Sequence, residues 1–313
     1  MSANALLFPG QGAQKVGMGR DVFERYEAAR TVFAHASEAI QTDMEEACFQ
    51  GPQEALGRTD LCQPAILTVS VAILRAIQQE LGCPLEATWV AGLSLGEYTA
   101  LVAANALEFA DAVRLVYARG RYMQEACDAN RGTMYSVIGL DDQQVEEACH
   151  RVQRDGGRVW PANYNSPGQL VISGVEDAAA RAAAICTDMG ARRVVQLKVA
   201  GAFHTPLMEP AAVHLASELK HARMREPSCP VVCNVTGQPV RDAEQIRSLL
   251  VAQVTSPVRW TQSMRGCIER GAKRFFEVGP GRVLQGLLKR TDPAATCVSV
   301  GTAEEVQEVA AAL

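Results

Sequence analysis

A serine between two glycines, at the junction of an apolar segment and a helical pattern, is the feature that most constrains this chain. Residues 90–98 read Val-Ala-Gly-Leu-Ser-Leu-Gly-Glu-Tyr, which places Gly92 and Gly96 on either side of Ser94. This spacing is typical of a sharp turn from a strand into a helix, which exposes the serine hydroxyl at the end of a sheet. The sequence therefore predicts an α/β fold with Ser94 as a nucleophile, the alternative being an ordinary glycine-rich connection.

The backbone amide that follows Ser94 is a candidate for stabilising an oxyanion. The amide of Leu95 opens the predicted helix after Ser94 and points to where a carbonyl oxygen becomes negative when the serine attacks it. The first apolar run, residues 5–8, leads into Pro-Gly-Gln-Gly-Ala-Gln, a flexible turn that also offers free amides. Its glycines break the dinucleotide-binding spacing, since residue 15 is Lys, and no Gly-Lys-Ser/Thr follows. No nucleotide cofactor is expected.

Composition limits the class of protein. A chain of 313 residues is long enough for one large domain or two smaller ones. The net charge of −5 gives no reason to expect a nucleic acid or an anionic membrane as partner. The first nine residues look like a strand and not a signal peptide. No apolar run is expected to approach the length that spans a bilayer.

The ten cysteines are scattered, and the closest pair, Cys229 and Cys233, has no partner pair or histidine cluster nearby. This usage argues against a zinc site and favours free buried thiols in a reducing cytoplasm. We therefore expect no metal and a cytoplasmic location.

Hydrophobic periodicity predicts two units. Helices are predicted over 21–49, 64–81, 95–104 and 109–127, with a strand over 89–92. The order βαββαβ follows between residues 132 and 199, which is typical of a ferredoxin-like unit. The fold is therefore predicted as a large α/β domain, residues 1–128 and 199–313, with a small inserted domain, residues 129–198. The C-terminal part of the large domain is predicted to contain a helix from Thr205 and strands over 231–235, 274–278 and 296–300. Further helices are predicted over 258–270, 282–290 and the last residues.

One histidine differs from the other four. His35, His150, His214 and His221 fall in helical stretches and are expected on solvated faces. His204 follows a strand and a flexible segment just before a helix start, a position suited to reaching across a cleft. We predict His204 as the base for Ser94, the alternative being a structural loop histidine.

The usual acidic partner of such a histidine is missing. No Asp or Glu stands out between Ser94 and His204, so a backbone carbonyl could orient the imidazole instead. An arginine would suit a substrate carboxylate, because its planar fork pairs both oxygens at once. The pattern of the helix over 109–127 does not distinguish Arg119 from Arg114 or Arg121.

Eight segments of the chain match one pattern: residues 8–14, 63–67, 92–98, 119–125, 163–169, 201–204, 253–260 and 277–281. Together they resemble one family, the malonyl-CoA:acyl carrier protein transacylases of fatty acid and polyketide synthesis. The matches occur in the family's order and run from residue 6 to about 290, nearly the whole chain. The resemblance implies an α/β-hydrolase-like large domain, the ferredoxin-like insert and acyl transfer in two half-reactions.

The resemblance also implies a role for each matching residue. Ser94 would be the nucleophile, His204 the base, and Arg119 the partner of the malonyl carboxylate. The amides of Gln11 and Leu95 would form the oxyanion hole.

Three further residues take their roles from the same resemblance. Gln253 would offer the carbonyl that orients His204, and Asn163 and Phe203 would contact substrate. Phenylalanine at position 203 is what malonyl-selective members carry, where methylmalonyl-selective ones have serine.

Two positions depart from the family's pattern. Leu93 stands where most members carry histidine, which changes the polarity of the pocket but not the base. Residues 127–132 read Cys-Asp-Ala-Asn-Arg-Gly in place of the family's usual Pro-x-Gly stretch, so the connection between the domains is expected to differ.

The resulting hypothesis is transfer of malonyl from malonyl-CoA to the phosphopantetheine thiol of acyl carrier protein through a malonyl-serine. Two alternatives remain open at the level of sequence. One is a serine hydrolase or thioesterase that releases free acid, which the missing acid and the arginine disfavour. The other is a non-catalytic subunit that binds the carrier. The sequence does not distinguish a fatty acid carrier from a polyketide carrier.

Overall fold

The computed structural model describes residues 3–199 and 201–313. The strands are β1 (Asn4–Phe8), β2 (Trp89–Gly92), β3 (Gly132–Ile138), β4 (Val159–Ser166), β5 (Gln169–Val175), β6 (Arg193–Gln196), β7 (Val231–Cys233), β8 (Gln238–Val240), β9 (Arg274–Val278) and β10 (Thr296–Val300). The helices are α1 (Arg20–Arg25), α2 (Glu27–Ile40), α3 (Met44–Phe49), α4 (Gln53–Leu56), α5 (Thr59–Leu81), α6 (Gly96–Ala103), α7 (Phe109–Ala129), α8 (Asp142–Arg154), α9 (Glu176–Asp188), α10 (Glu209–His221), α11 (Ala243–Gln253), α12 (Trp260–Glu269), α13 (Val283–Thr291) and α14 (Ala303–Ala312).

A six-stranded sheet forms the centre of the larger part of the fold. Its order is β10-β9-β1-β2-β7-β8, and all pairs are parallel except the last. Strand residues alternate between two apolar cores: Leu6 and Phe8 of β1 pack on one face, and Ala5 and Leu7 on the other. Burial on both faces explains why these strands read as continuous apolar runs. The parallel strands bring the ends of β1, β2 and β7 to one edge, where ligands of such sheets bind.

A second sheet is built from one continuous stretch of chain. It has four antiparallel strands in the order β4-β5-β3-β6, with α8 and α9 packed on it around a core of their own. The predicted sequence βαββαβ is thus present. Strand β6 has four residues, forms one edge of this sheet and pairs with β3 alone.

Helix α5 corrects one expectation. Within the described residues it is the one helix long and apolar enough to cross a membrane, and 83% of its most apolar window is buried inside the protein. The expectation that no apolar run approaches this length was therefore wrong. Gln63, Thr68 and Ser70 interrupt the apolar run in the sequence, but all three are buried in the structure. The core helix of a protein can meet the same criteria of length and hydropathy, so α5 is weak evidence for a membrane-spanning segment.

Local backbone geometry explains other differences from the predicted elements. The helix predicted over 21–49 is three helices, because Tyr26 is extended and Gln41 is left-handed with φ 52°. Helix α5 begins five residues before the predicted start at Pro64. The segment that forms β8 and α11 was not predicted. The helix predicted from Thr205 begins later, because Thr205 caps a 3₁₀ turn, Pro206–Met208, that precedes α10.

Candidate active site

Ser94 lies in a tight turn between β2 and α6. A Cβ on Gly92 would lie 1.9 Å from the carbonyl of Gly96, and one on Gly96 would lie 2.2 Å from the carbonyl oxygen of Phe8. Only glycine therefore fits at either position. Ser94 itself has φ 54°, a left-handed conformation that residues other than glycine rarely adopt.

Asn234, which directly follows β7, holds this turn in place. Its Oδ1 accepts the amide of Ser94 at 2.6 Å, and its Nδ2 donates to the carbonyl of Gly92 at 2.7 Å. One side chain thus fixes the backbone on both sides of the turn, which orients the serine hydroxyl.

His204 faces that hydroxyl. Its Nε2 is 2.9 Å from Ser94 Oγ, and its Nδ1 is 2.9 Å from the carbonyl oxygen of Gln253. A carbonyl can only accept, so Nδ1 carries the hydrogen and Nε2 is free to accept the serine proton. Burial, together with the positive charge of Arg119, lowers the pKa of His204 to about 4. The imidazole is therefore neutral near pH 7.

Arg119 is buried beside the serine and the histidine. It is 1% exposed, and its guanidinium donates to Gln63 Oε1 at 2.6 Å, Gln253 Oε1 at 3.0 Å and Ser94 Oγ at 3.0 Å. Its Nε has no hydrogen-bond partner, and no ion pair among the described residues involves it. A buried cation without a carboxylate is costly, so this guanidinium is prepared to bind one.

The neighbouring arginines of α7 are different. Arg114 pairs with Asp111, Arg121 lies 3.9 Å from Glu125, and their side chains are 56% and 49% exposed. Three-dimensional packing thus separates Arg119 from them, which the sequence pattern could not do.

Two backbone amides lie at the same cavity. Within the described part of the chain, neither the amide of Gln11 nor that of Leu95 donates to a protein acceptor. Both residues line the cavity that contains Ser94. Free amides beside a nucleophile can stabilise a negatively charged oxygen.

The cavity has a volume of about 180 Å³ and lies between the two sheets. Phe203 and Asn163 line it, as does Leu93, at the position where the family usually carries histidine. Much of the remaining wall is apolar. It is formed by Met123, Met134, Val171, Leu197, Val199, Val283 and Leu287. No cluster of three or more metal-ligating side chains occurs in residues 3–199 and 201–313.

Three polar residues of the site had no role assigned from sequence. Gln63 and Glu97 lie in two of the eight segments that resemble the family, whereas Asn234 lies outside all eight. Gln63 interrupts an apolar helix beside a proline, and Asn234 follows directly after a buried parallel strand. Both features are visible in the sequence. They could have indicated Gln63 and Asn234 as site residues, because polar groups in such positions often face a site.

Together these features define a class: an α/β protein with a serine–histidine pair at a strand end and a buried arginine that can hold a carboxylate. Residues 5–311 match the family described as acyl transferase domain. Extensive identity to malonyl CoA-acyl carrier protein transacylases narrows this further, and the chain belongs to that family of acyltransferases.

Relatives of known name cover nearly all of the chain. The malonyl CoA-acyl carrier protein transacylase of Escherichia coli K12 is 45% identical over 291 residues, 93% of each chain. That of Bacillus subtilis 168 is 38% identical over 307 residues, 98% of this chain and 96% of the relative.

Solved structures agree. A malonyl-transacylase in complex with its type II PKS acyl-carrier protein superposes with a TM-score of 0.96 at 41% identity, covering 100% of both chains. An acyl carrier protein S-malonyltransferase from Vibrio cholerae gives 0.94 at 41% identity, covering 98% and 100%. The mixed α/β fold is thus that of this family.

Proposed function

We propose that this protein transfers a malonyl group from malonyl-CoA to the phosphopantetheine thiol of an acyl carrier protein through a malonyl-serine intermediate. The observation that carries the proposal is the position of Ser94 Oγ, within 3.0 Å of both His204 Nε2 and Arg119 Nη2. A nucleophile, its base and a carboxylate partner therefore share one cavity. The names of the relatives support malonyl-CoA and the carrier as the two substrates.

The first half-reaction forms the acyl-enzyme. Ser94 Oγ attacks the thioester carbonyl carbon while His204 Nε2 takes the hydroxyl proton. The oxyanion accepts hydrogen bonds from the amides of Gln11 and Leu95, each contributing on the order of 3 kcal/mol in comparable sites. Collapse of the tetrahedral intermediate breaks the carbon–sulfur bond, and the departing CoA sulfur takes the proton from His204.

The second half-reaction reverses this geometry. His204 Nε2 takes the proton of the carrier's phosphopantetheine thiol, and the thiolate attacks the ester carbonyl of malonyl-Ser94. Collapse breaks the ester bond, and Ser94 Oγ recovers the proton from His204. Throughout both steps, the guanidinium of Arg119 pairs with the malonyl carboxylate, and Asn163 and Phe203 contact the acyl group.

The finer description of the fold belongs to the same proposal. The sheet order β4-β5-β3-β6 is that of a ferredoxin-like unit, which supports residues 129–198 as an inserted domain. Residues 1–128 and 199–313 would form the α/β-hydrolase-like domain around the parallel sheet. The site would then lie between the two domains, where water can be excluded from the ester.

The carrier serves either fatty acid or polyketide synthesis, and one structural neighbour is a malonyl-transacylase in complex with a type II PKS acyl-carrier protein. The cytoplasmic location stays a prediction. It is supported by the cysteines, which are all free thiols, eight of them buried.

The test separates transfer from hydrolysis. The protein is mixed with malonyl-CoA, with and without holo carrier protein, and both free malonate and malonyl-carrier are measured over time. We expect malonyl-carrier to be the main product when the carrier is present, and little free malonate to form when the carrier is absent. Release of malonate at a rate unaffected by the carrier would indicate a hydrolase, and formation of neither product would indicate a non-catalytic subunit.

A further inference from the structure

Glu97 is a buried acid that the proposed reaction does not use. It lies three residues after Ser94 on α6 and is 1% exposed. Its Oε2 accepts the amide of Asn234 at 3.0 Å and Nε2 of Gln253 at 2.8 Å. Its Oε1 has no hydrogen-bond partner among the described residues. A fully buried carboxylate is expensive to keep, so its contacts call for an explanation.

The contacts of Gln253 provide one. Its Nε2 donates to Glu97 and, at 3.1 Å, to the carbonyl of Ser94, while its Oε1 accepts from Arg119 Nη2 at 3.0 Å. An ionised carboxylate only accepts and a guanidinium only donates, so a single orientation of this amide satisfies both neighbours. The backbone carbonyl of the same residue accepts from His204.

We propose, on the basis of the function proposed above, that Glu97 is a positioning residue for acyl-group selectivity. Its carboxylate fixes the side-chain amide of Gln253, and the amide oxygen in turn fixes the guanidinium of Arg119. When Glu97 is protonated, the hydrogen bond that its Oε2 accepts from Nε2 of Gln253 loses its negative charge and weakens. The amide then keeps the carbonyl of Ser94 as its main acceptor on that side, and it fixes Arg119 less firmly for a substrate carboxylate.

The groups around Glu97 make this dependence measurable. Burial raises the pKa of Glu97 to about 7, opposed by the hydrogen bonds from Asn234 and Gln253 and by Arg119. Burial also raises the pKa values of the adjoining Cys233 thiol on β7 and of Tyr98 on α6, so both stay neutral.

The remaining titratable neighbours are Arg119 and His204. Burial lowers the pKa of Arg119 from its very high ordinary value, and the pKa of His204 is about 4. Glu97 is therefore the group among these that changes charge near pH 7. As pH falls through 7, its protonated fraction rises and the carboxylate clamp is weakened.

The first test uses the unaltered protein. Rates of Ser94 acylation, as kcat/KM, are measured with malonyl-CoA and with acetyl-CoA between about pH 6 and about pH 8.5. Acetyl transfer uses the serine and histidine but no carboxylate partner, and ionisation of the CoA phosphates affects both substrates. We expect the malonyl-to-acetyl ratio to fall about tenfold towards the lower pH, the loss of one charged hydrogen bond. A ratio independent of pH would overturn the proposal.

The second test removes the charge. In Glu97→Gln we expect the ratio at pH 8 to fall by about tenfold and to lose its pH dependence, while acetyl transfer persists. The matched control is Glu277→Gln, another buried glutamate, whose oxygens accept the amides of Leu284 and Gln285 away from Arg119. It should keep the pH-dependent ratio.

The outcomes separate the two proposals. A Glu97→Gln protein with unchanged selectivity and pH dependence would contradict the role of Glu97. If this variant does not fold, the pH profile of the unaltered protein decides. If neither thioester acylates the unaltered protein, the function proposed above fails, independently of Glu97.

Discussion

Ser94 and His204 both hold left-handed backbone conformations, with φ 54° and 59°. Such conformations cost on the order of 1–3 kcal/mol each in residues other than glycine, and they persist only where the surroundings impose them. Here Asn234 and the close approach of Gly92 and Gly96 impose the first. The strained backbone is at the two residues proposed to react, and their side chains face each other.

The depressed pKa of His204 predicts a broad pH range for acylation. A histidine whose pKa is about 4 stays neutral, and so able to accept a proton, until the pH falls near that value. With acetyl-CoA, whose acyl group carries no carboxylate, we expect the acylation rate to be nearly constant from about pH 8 to about pH 6. His204→Ala should leave only slow acylation, measured by rapid quench. An alanine variant at position 204 that is acylated at the normal rate would rule out this base.

Phe203 predicts a preference for malonyl over methylmalonyl groups. Its ring lines the cavity beside Ser94, which leaves little room for a methyl branch on the α-carbon. Steric discrimination of one methyl is worth about 1–3 kcal/mol. Phe203→Ser should therefore raise acylation by methylmalonyl-CoA, with malonyl-CoA in the same variant as the control. Equal rates with both thioesters in the unaltered protein would refute the idea.

At the residue scale, the sequence and its family resemblance predicted a nucleophile, a base, a carboxylate partner and the carbonyl that orients the base. They predicted no role for Asn234, Gln63 or Glu97. Ser94 and His204 were chosen from the residues around them. Asn234, Gln63 and Glu97 act through contacts with residues that are distant in sequence. The bond from Ser94 to Asn234 spans 140 positions, and no local pattern encodes it.

At the scale of elements, the approach of α6 to β1 is the tightest constraint near the site. Gly96→Ala would place a Cβ 2.2 Å from the carbonyl oxygen of Phe8. We expect a loss of stability of about 2 kcal/mol or more in urea unfolding, together with loss of acylation.

Gly286 is the matched control for that substitution. It lies inside α13, where a Cβ would meet no heavy atom within 4 Å. Gly286→Ala should raise stability by about 0.5–1 kcal/mol, since alanine is the better helix former. If Gly96→Ala were as stable as the unaltered protein, the packing of this turn would be misdescribed.

Element types followed well from periodicity, but their ends did not. Strands β9 and β10 have the predicted bounds, and a glycine directly follows each of them, Gly279 and Gly301. Strand β8, with three residues, is too short for a period to be read, and β7 ends two residues before its predicted end at 235. Helix α11 was missed although Asp242 caps it and Ile246 and Leu250 form a buried stripe.

At the scale of the whole molecule, charge distribution matters more than net charge. Exposed basic residues are numerous in the C-terminal part, among them Lys289 and Arg290 at the end of α13. The same helix contributes Val283 and Leu287 to the cavity wall, and Arg290 donates to Gln169, which also lines the cavity. This basic end of α13 therefore lies beside the proposed site.

We predict that this end of α13 guides the carrier protein. Lys289→Glu together with Arg290→Glu should raise the KM for an acidic carrier and leave acylation by malonyl-CoA nearly unchanged. The effect should weaken with added salt, because exposed charge pairs act mainly on association rate. Lys220→Glu with Arg223→Glu, exposed residues at and just beyond the end of α10, is the control of equal charge. Normal transfer by the first double variant at low salt, or an equal fall in both half-reactions, would contradict the prediction.

The fold class and the family could be read from the sequence, while the arrangement of the sheet could not. Eight motifs in the family's order identified the family, because they contain the residues of a site that is assembled from many parts of the chain. The order β10-β9-β1-β2-β7-β8 depends on which strands lie adjacent after folding. Periodicity reports only which faces of a strand are apolar.

The most direct test of the account is the mass of the intact protein after brief mixing with malonyl-CoA. We expect one added malonyl group, mapped to Ser94 by peptide analysis and lost when holo carrier protein is added. Ser94→Ala should gain no mass, while Ser217→Ala, an exposed serine on α10, should be acylated normally. A malonyl adduct on the Ser94→Ala protein, or none on the unaltered protein, would contradict the account.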